Sequence, residues 1–215
     1  MRVGARIIAI AAAAAALAGT AAPAAAQAAG NYAQRYASLC AACHGANGAS
    51  TLPGAPNLAG QHSFYVVTQL FLYRAGRRSN EAMSAVAKTL TDDDLRGFSD
   101  FIATLPALPA TPPAGPVDAA RMASAKALAT EHKCVFCHGA DFSGGQQVPR
   151  IAGQHEDYLK DVLRGYKSGK RTGYTMAMSE AVSRISPEEL DTLAYYVARF
   201  PGAAAPGGAG ATTGK

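Results

Sequence analysis

All four cysteines of the chain stand in two copies of one pattern, Cys40-Ala41-Ala42-Cys43-His44 and Cys134-Val135-Phe136-Cys137-His138, placed 94 residues apart. Two thiols separated by two residues can pair as a disulfide, bind zinc or run dithiol redox chemistry. A structural zinc site asks for two such pairs together or for histidines at finger spacing. A redox dithiol asks for a thioredoxin-like βαβ context, and the sequence shows none. The histidine directly after each pair points elsewhere. In C-x-x-C-H the two thiols add to the vinyl groups of a haem and the following imidazole reaches its iron. Two copies therefore predict two covalent haems c, with His44 and His138 as one axial ligand each.

The sixth position on each iron needs a donor from later in the same half. Of five methionines, Met1 is at the N-terminus and Met122 precedes the second attachment site, which leaves Met83, Met176 and Met178. Met83 stands seven residues before Leu90 and twelve before Leu95, and Met178 keeps the same distances to Ile185 and Leu190. Counted instead from Gly76 and Gly169, Met83 pairs with Met176. Met178 is the preferred counterpart, because the following helix fixes the height of the ligand and insertions fall in loops. A thioether ligand favours ferrous iron and raises the potential.

The repeat extends well beyond the cysteines. Pro56-Asn57-Leu58-Ala59-Gly60-Gln61-His62 has a counterpart in Pro149-Arg150-Ile151-Ala152-Gly153-Gln154-His155, and Tyr65, Leu70, Tyr73 and Gly76 match Tyr158, Leu163, Tyr166 and Gly169 at one constant offset. Such self-similarity marks a tandem duplication. The expected domains are 27–105 and 117–203. The proline-rich stretch 106–116 between them reads as an extended linker, and the Gly/Ala/Pro-rich segment 204–215 as a tail unable to order itself.

The elements that must position these residues are helical. Tyr32, Tyr36 and Leu39 fall at helical spacing and lead into Cys40, and Phe64, Val67, Leu70 and Phe71 form a second apolar stripe. Thr91 and Ser186 precede acidic clusters and read as N-caps of a last helix in each half, with Pro187 at its first position. Leu95, Phe98, Phe101 and Ile102, and Leu190, Leu193, Tyr196 and Val197, are the core faces of those helices. Arg74, Arg77 and Arg78, with Lys167, Lys170 and Arg171, end the second helix of each half. They suit haem propionates, an acidic partner or simply a solvated helix end. His62 and His155 suit a propionate, a helix cap or a solvated loop.

Arg2 and Arg6, the apolar run Ile7–Ala18 and the Ala24-Ala25-Ala26 that follows have the order of a cleaved secretory signal, so residues 1–26 are set apart from the fold and a periplasmic location is expected. Their loss lowers the formal charge from +5 to +3. The remaining basic residues are spread over both halves, which excludes the clustered stripe of a nucleic-acid binder. Nine Tyr, seven Phe and no Trp give each half a meagre core that needs an apolar cofactor.

On the paired C-x-x-C-H sites, the Pro56–Gln61 and Pro149–Gln154 segments, the ends of the helices that follow, and Met83 and Met178, the chain resembles the dihaem cytochrome c4 family over residues 31 to 203. The resemblance implies an all-α fold of two tandem class I cytochrome c domains. Their haems would be held by Cys40, Cys43, His44 and Met83 and by Cys134, Cys137, His138 and Met178, with the Pro56 and Pro149 carbonyls orienting the histidines. It implies a periplasmic one-electron carrier, not an enzyme, between a quinol-oxidising complex or dehydrogenase and a membrane-bound terminal oxidase, with loose association with the membrane surface. Two other readings stay open: the cytochrome subunit of a flavocytochrome sulfide dehydrogenase, and a dihaem enzyme such as a thiosulfate dehydrogenase or peroxidase.

Overall fold

The computed structural model describes residues 24–107, 116–171, 173 and 175–200, with side chains from residue 31 onward. The signal up to residue 23, most of the linker (108–115) and the tail lie outside the described residues. Among the described residues no helix is long and apolar enough to cross a membrane.

Among the described residues ten helices follow one another in two runs of five. The first half has α1 (Ala24–Leu39), α2 (Ala41–His44), α3 (Ser63–Arg74), α4 (Glu81–Lys88) and α5 (Asp92–Thr104). The second has α6 (Ala119–Glu131), α7 (Cys134–His138), α8 (Glu156–Lys167), α9 (Ala177–Val182) and α10 (Pro187–Arg199). The only departure from helix and loop among the described residues is an isolated bridge between Gly145 and Val148.

Each half is closed by packing its first helix on its last, and the two halves solve this differently. In the first, Tyr36 of α1 is fully buried, donates to the Gly45 carbonyl at 3.0 Å, and packs on Phe101 of α5. Tyr32 meets Phe98 edge-on at 5.2 Å. Gly97 makes this possible, since a Cβ there would lie 2.0 Å from the Tyr32 ring. In the second half the approach is made by small residues on α6, Ala125 and Ala129, and the ring is supplied by the loop residue Phe142, edge-on to Tyr196 and Phe200 of the last helix and its end. Burying such a ring is worth about 1.5–3 kcal/mol, so the duplicated halves keep the packing while drawing it from different chain positions.

Thr91 and Ser186 cap the last helices as expected, each within a reciprocal capping box: Thr91 Oγ1 accepts from the Asp94 amide while Asp94 accepts from the Thr91 amide, and Ser186 and Glu189 repeat the exchange. The expected face of α3 is corrected in part: Val67 and Leu70 pack partly buried against the first core, but the stripe does not extend to its two phenylalanines. Val66, Gln69, Leu72 and Tyr73 are its buried residues, whereas Phe64 and Phe71 are 46% and 45% exposed. The helix is apolar nearly all round, so spacing alone did not fix which stripe turns inward.

Asp94 ties the cap to the first helix. The Arg35 guanidinium beside it, together with the Thr91 bonds, holds its carboxyl well below the usual carboxylate range despite burial. A depressed carboxylate stabilises the fold above its unfolded pKa of about 4 and loses that contribution as pH falls through the folded value. Asp94→Asn is therefore expected to cost about 2 kcal/mol near pH 7, measured by denaturant unfolding, and the gap from wild type should close as pH falls below about 4.

Candidate haem sites and the interface between them

The attachment sites are built by the ends of α1 and α6. The Cys43 and His44 amides donate back to the Cys40 carbonyl at 3.2 and 3.0 Å, so one helical turn carries both thiols and the imidazole. Cys40 is partly buried against the first core and Cys43 exposed, and Cys134 and Cys137 repeat this. All four thiols are free, and burial pushes the Cys40 thiol up to about 11.

His44 and His138 are buried, and each ring donates from Nδ1 to a proline carbonyl, Pro56 at 2.9 Å and Pro149 at 3.1 Å. A carbonyl only accepts, so Nδ1 holds the proton and the Nε2 lone pair is left for a metal. Burial lowers the pKa of both imidazoles and keeps them neutral ligands. Pro56 follows His44 by twelve residues and Pro149 follows His138 by eleven, and the contact forms in both halves.

Three observations test whether these residues fit haem. The thiols are unpaired and lie one helical turn apart, the imidazoles are oriented, and two buried cations between the halves have no carboxylate partner among the described residues. Arg78 and Arg171, expected at basic helix ends, are buried, stacked on Tyr73 and Tyr166, and neither meets a carboxylate within 4 Å among the described residues. Arg78 donates to Gln69 Oε1 at 2.7 Å and across the interface to Tyr158 Oη at 3.1 Å. Arg171 donates to Tyr65 Oη at 3.2 Å, and its buried Nε has no partner. Burial alone would raise the Tyr158 phenol, yet the two guanidinium groups outweigh it and bring it below its ordinary value. Buried cations ask for anions, and haem carries two propionates. Among the described residues no group of three or more His, Cys, Asp or Glu side chains converges as an ordinary metal site.

The halves meet through contacts related by the same sequence offset as the repeat. Gln61 bonds the backbone of Arg150 and Gln154 that of Asn57. His62 Nε2 donates to the Ser143 carbonyl at 2.8 Å and His155 Nε2 to the Ser50 carbonyl at 3.1 Å. Neither histidine side chain caps a helix; both join the halves. A cavity of about 250 Å³ between α6, α7 and α10, lined by Ala129, Val135, Phe142, Tyr196 and Phe200, touches neither His138 nor Met178.

Two tandem all-α domains, each with a C-x-x-C-H turn and an oriented buried histidine, define a dihaem c-type cytochrome. Residues 122–200 match the family model described as cytochrome c, and residues 27–102 that described as cytochrome c oxidase, cbb3-type, subunit III. A cytochrome c4 of Thiocapsa roseopersicina is 34% identical over 74% of this chain and 85% of its own length. A thiosulfate dehydrogenase electron acceptor of Stutzerimonas stutzeri is 34% identical over 75% of this chain and 79% of its own. The structure of reduced cytochrome c4 from Pseudomonas stutzeri superimposes with a TM-score of 0.70 at 25% identity, covering 80% of this chain and 98% of that one. The chain belongs to the cytochrome c4 family, as a dihaem electron carrier.

One expectation is corrected. A structure of thiosulfate dehydrogenase from Marichromatium purpuratum matches 80% of this chain at 33% identity and a TM-score of 0.69, over 40% of its own length. Paired domains of this kind occur inside a dehydrogenase, so the exclusion of an enzymatic role does not stand. The physical reason is that a methionine candidate in each half, even one that would saturate its iron, says nothing of chemistry performed elsewhere in such an assembly.

Arg171→Leu in the haem-loaded protein is expected to lower a midpoint potential in a potentiometric titration, because a buried cation near an iron favours its reduced form. Two unchanged potentials would contradict the fit of this cluster to the propionates.

Proposed function

We propose that the chain is exported and carries single electrons in the periplasm, from a dehydrogenase or quinol-oxidising complex to a membrane-bound terminal oxidase. The observation that carries this reading is the duplicated buried imidazole, proton fixed by a proline carbonyl, beside two unpaired thiols. Bound haem c supplies one reversible ferric–ferrous couple in each half. The protein's own residues would hold it: Cys40 and Cys43, or Cys134 and Cys137, by covalent attachment, which would prevent loss outside the cell, and His44 or His138 as a ligand to its iron.

Met83 and Met178 complete the ligation in this reading. Met83 sits in the first turn of α4, its amide held by Asn80 Oδ1 at 3.0 Å and its side chain half-buried. Met178 is half-buried and packs on the second core, whereas Met176 is 61% exposed, which supports Met178 as the donor. Saturated irons leave no position for oxygen. The domains proposed are 27–105 and 117–203, joined by 106–116, and the small positive charge of the exported chain suits loose contact with an anionic membrane surface.

The relative named as an electron acceptor of thiosulfate dehydrogenase supports a thiosulfate-oxidising enzyme as donor, and the oxidase-subunit family matched by the first half supports an oxidase as acceptor. Thiosulfate with a thiosulfate dehydrogenase is expected to reduce both haems, and oxidase-containing membranes to reoxidise them; failure of both transfers would overturn the reading.

Ligand substitution tests the irons themselves. Met83→Ala and Met178→Ala should each lower one midpoint potential by ~59 mV or more, a tenfold change in a one-electron equilibrium, and leave the other nearly unchanged. Met176→Ala should move neither.

A further inference from the structure

The paired Gly-Gln-His segments do more than join the halves. Gln154, buried in the second half, holds Asn57 of the first by both ends of its amide: Oε1 accepts from the Asn57 N–H at 2.8 Å and Nε2 donates to the Asn57 carbonyl at 2.9 Å. Gln61, buried in the first half, holds Arg150 of the second in the same way, at 2.9 and 3.0 Å. A backbone N–H only donates and a carbonyl only accepts, so these contacts fix the orientation of both amides.

The N–H that Gln154 grips belongs to the peptide unit between Pro56 and Asn57. The carbonyl of that same unit is the one that accepts from His44 Nδ1. In the other half, the N–H gripped by Gln61 belongs to the Pro149–Arg150 unit, whose carbonyl accepts from His138 Nδ1. A peptide unit is conjugated across its C–N bond, so an acceptor on its N–H places more negative charge on its oxygen, and hydrogen bonds in a chain polarise one another. A stronger acceptor at Nδ1 makes the imidazole a stronger donor to iron, which favours ferric iron and lowers the potential.

We propose that Gln61 and Gln154 are reciprocal positioning residues: the glutamine of each half aligns and polarises the peptide that orients the axial histidine of the other half. The tuning of each haem is then set from across the domain interface, and separating the halves would change both haems. The proposal rests on His44 and His138 being the axial ligands. A cavity of about 20 Å³ lined by Asn57, Gln61, Arg150 and Gln154 lies between the two clamps. It has room for about one water.

The test uses the haem-loaded protein and its Gln154→Leu and Gln61→Leu variants. Both midpoint potentials are measured, with Met83→Ala identifying the first-half haem, together with the Nδ1–H proton resonances of His44 and His138 in the reduced state. Gln154→Leu is expected to raise the potential of the first-half haem and move the His44 proton upfield while the second half keeps its values; Gln61→Leu is expected to do the mirror image. A shift confined to the haem of the substituted half, or no shift, would overturn the proposal. Amide hydrogen exchange of Asn57 and Arg150 in the unaltered holoprotein needs no variant: slow exchange is expected, and exchange as fast as that of open loops would overturn it. Two covalent haems per chain with both histidines bound, but no crossed shift, would sink this inference alone. A histidine found unligated would sink it together with the ligation on which it rests.

Discussion

An imidazole presents a lone pair to a metal from one ring nitrogen only when the other carries the proton. In each half of this chain a proline carbonyl accepts a hydrogen bond from that N–H, Pro56 from His44 and Pro149 from His138. Much of the surrounding architecture serves to keep that contact in place. The helical turn of the cysteine pair carries the ring inward, the loop after it returns the carbonyl to the ring, and α3 or α8 follows the Gly-Gln-His segment that closes the loop. The histidine ring is thus fixed by backbone, which is less mobile than a side-chain partner and does not titrate.

The duplication makes this arrangement cooperative in space. Residues at equivalent repeat positions meet across the interface in crossed pairs, Gln61 with Arg150 and Gln154 with Asn57, Arg78 with Tyr158 and Arg171 with Tyr65. Two buried guanidinium groups there meet no carboxylate among the described residues, a costly state for the protein alone and a suitable one for a cofactor that carries acid groups. The symmetry is incomplete: Gln69 satisfies Arg78, while the equivalent position in the second half is Val162 and the Arg171 Nε has no partner. The cofactor environments are therefore related without being identical.

The chemistry was legible in the sequence because covalent attachment needs specific atoms at a fixed spacing. The same holds for the caps at Thr91 and Ser186, where a short-range rule decides the outcome. What remained hidden depends on long-range placement. The inward face of α3 could not be read because apolar residues surround the helix, and its buried side includes Gln69, a polar residue that only the neighbouring Arg78 explains. His62 and His155 drew notice by repetition alone, and their acceptors are backbone carbonyls of the opposite half, which no pattern in side chains reveals. Phe142 supplies from a loop the ring that Tyr36 supplies from a helix, so alignment of the halves would not find it. The exclusion of an enzymatic role failed for a different reason. Candidate ligands speak only for the two tandem domains, and domains of this kind also occur within a dehydrogenase structure.

In the proposed function histidine and methionine together would saturate both irons, so that electrons enter and leave without substrate reaching the metal. Addition of carbon monoxide to the fully reduced, haem-loaded protein tests this most directly. Unchanged absorption spectra of both haems are expected. A carbon monoxide complex at either haem would show an open or labile position there and would contradict the claim.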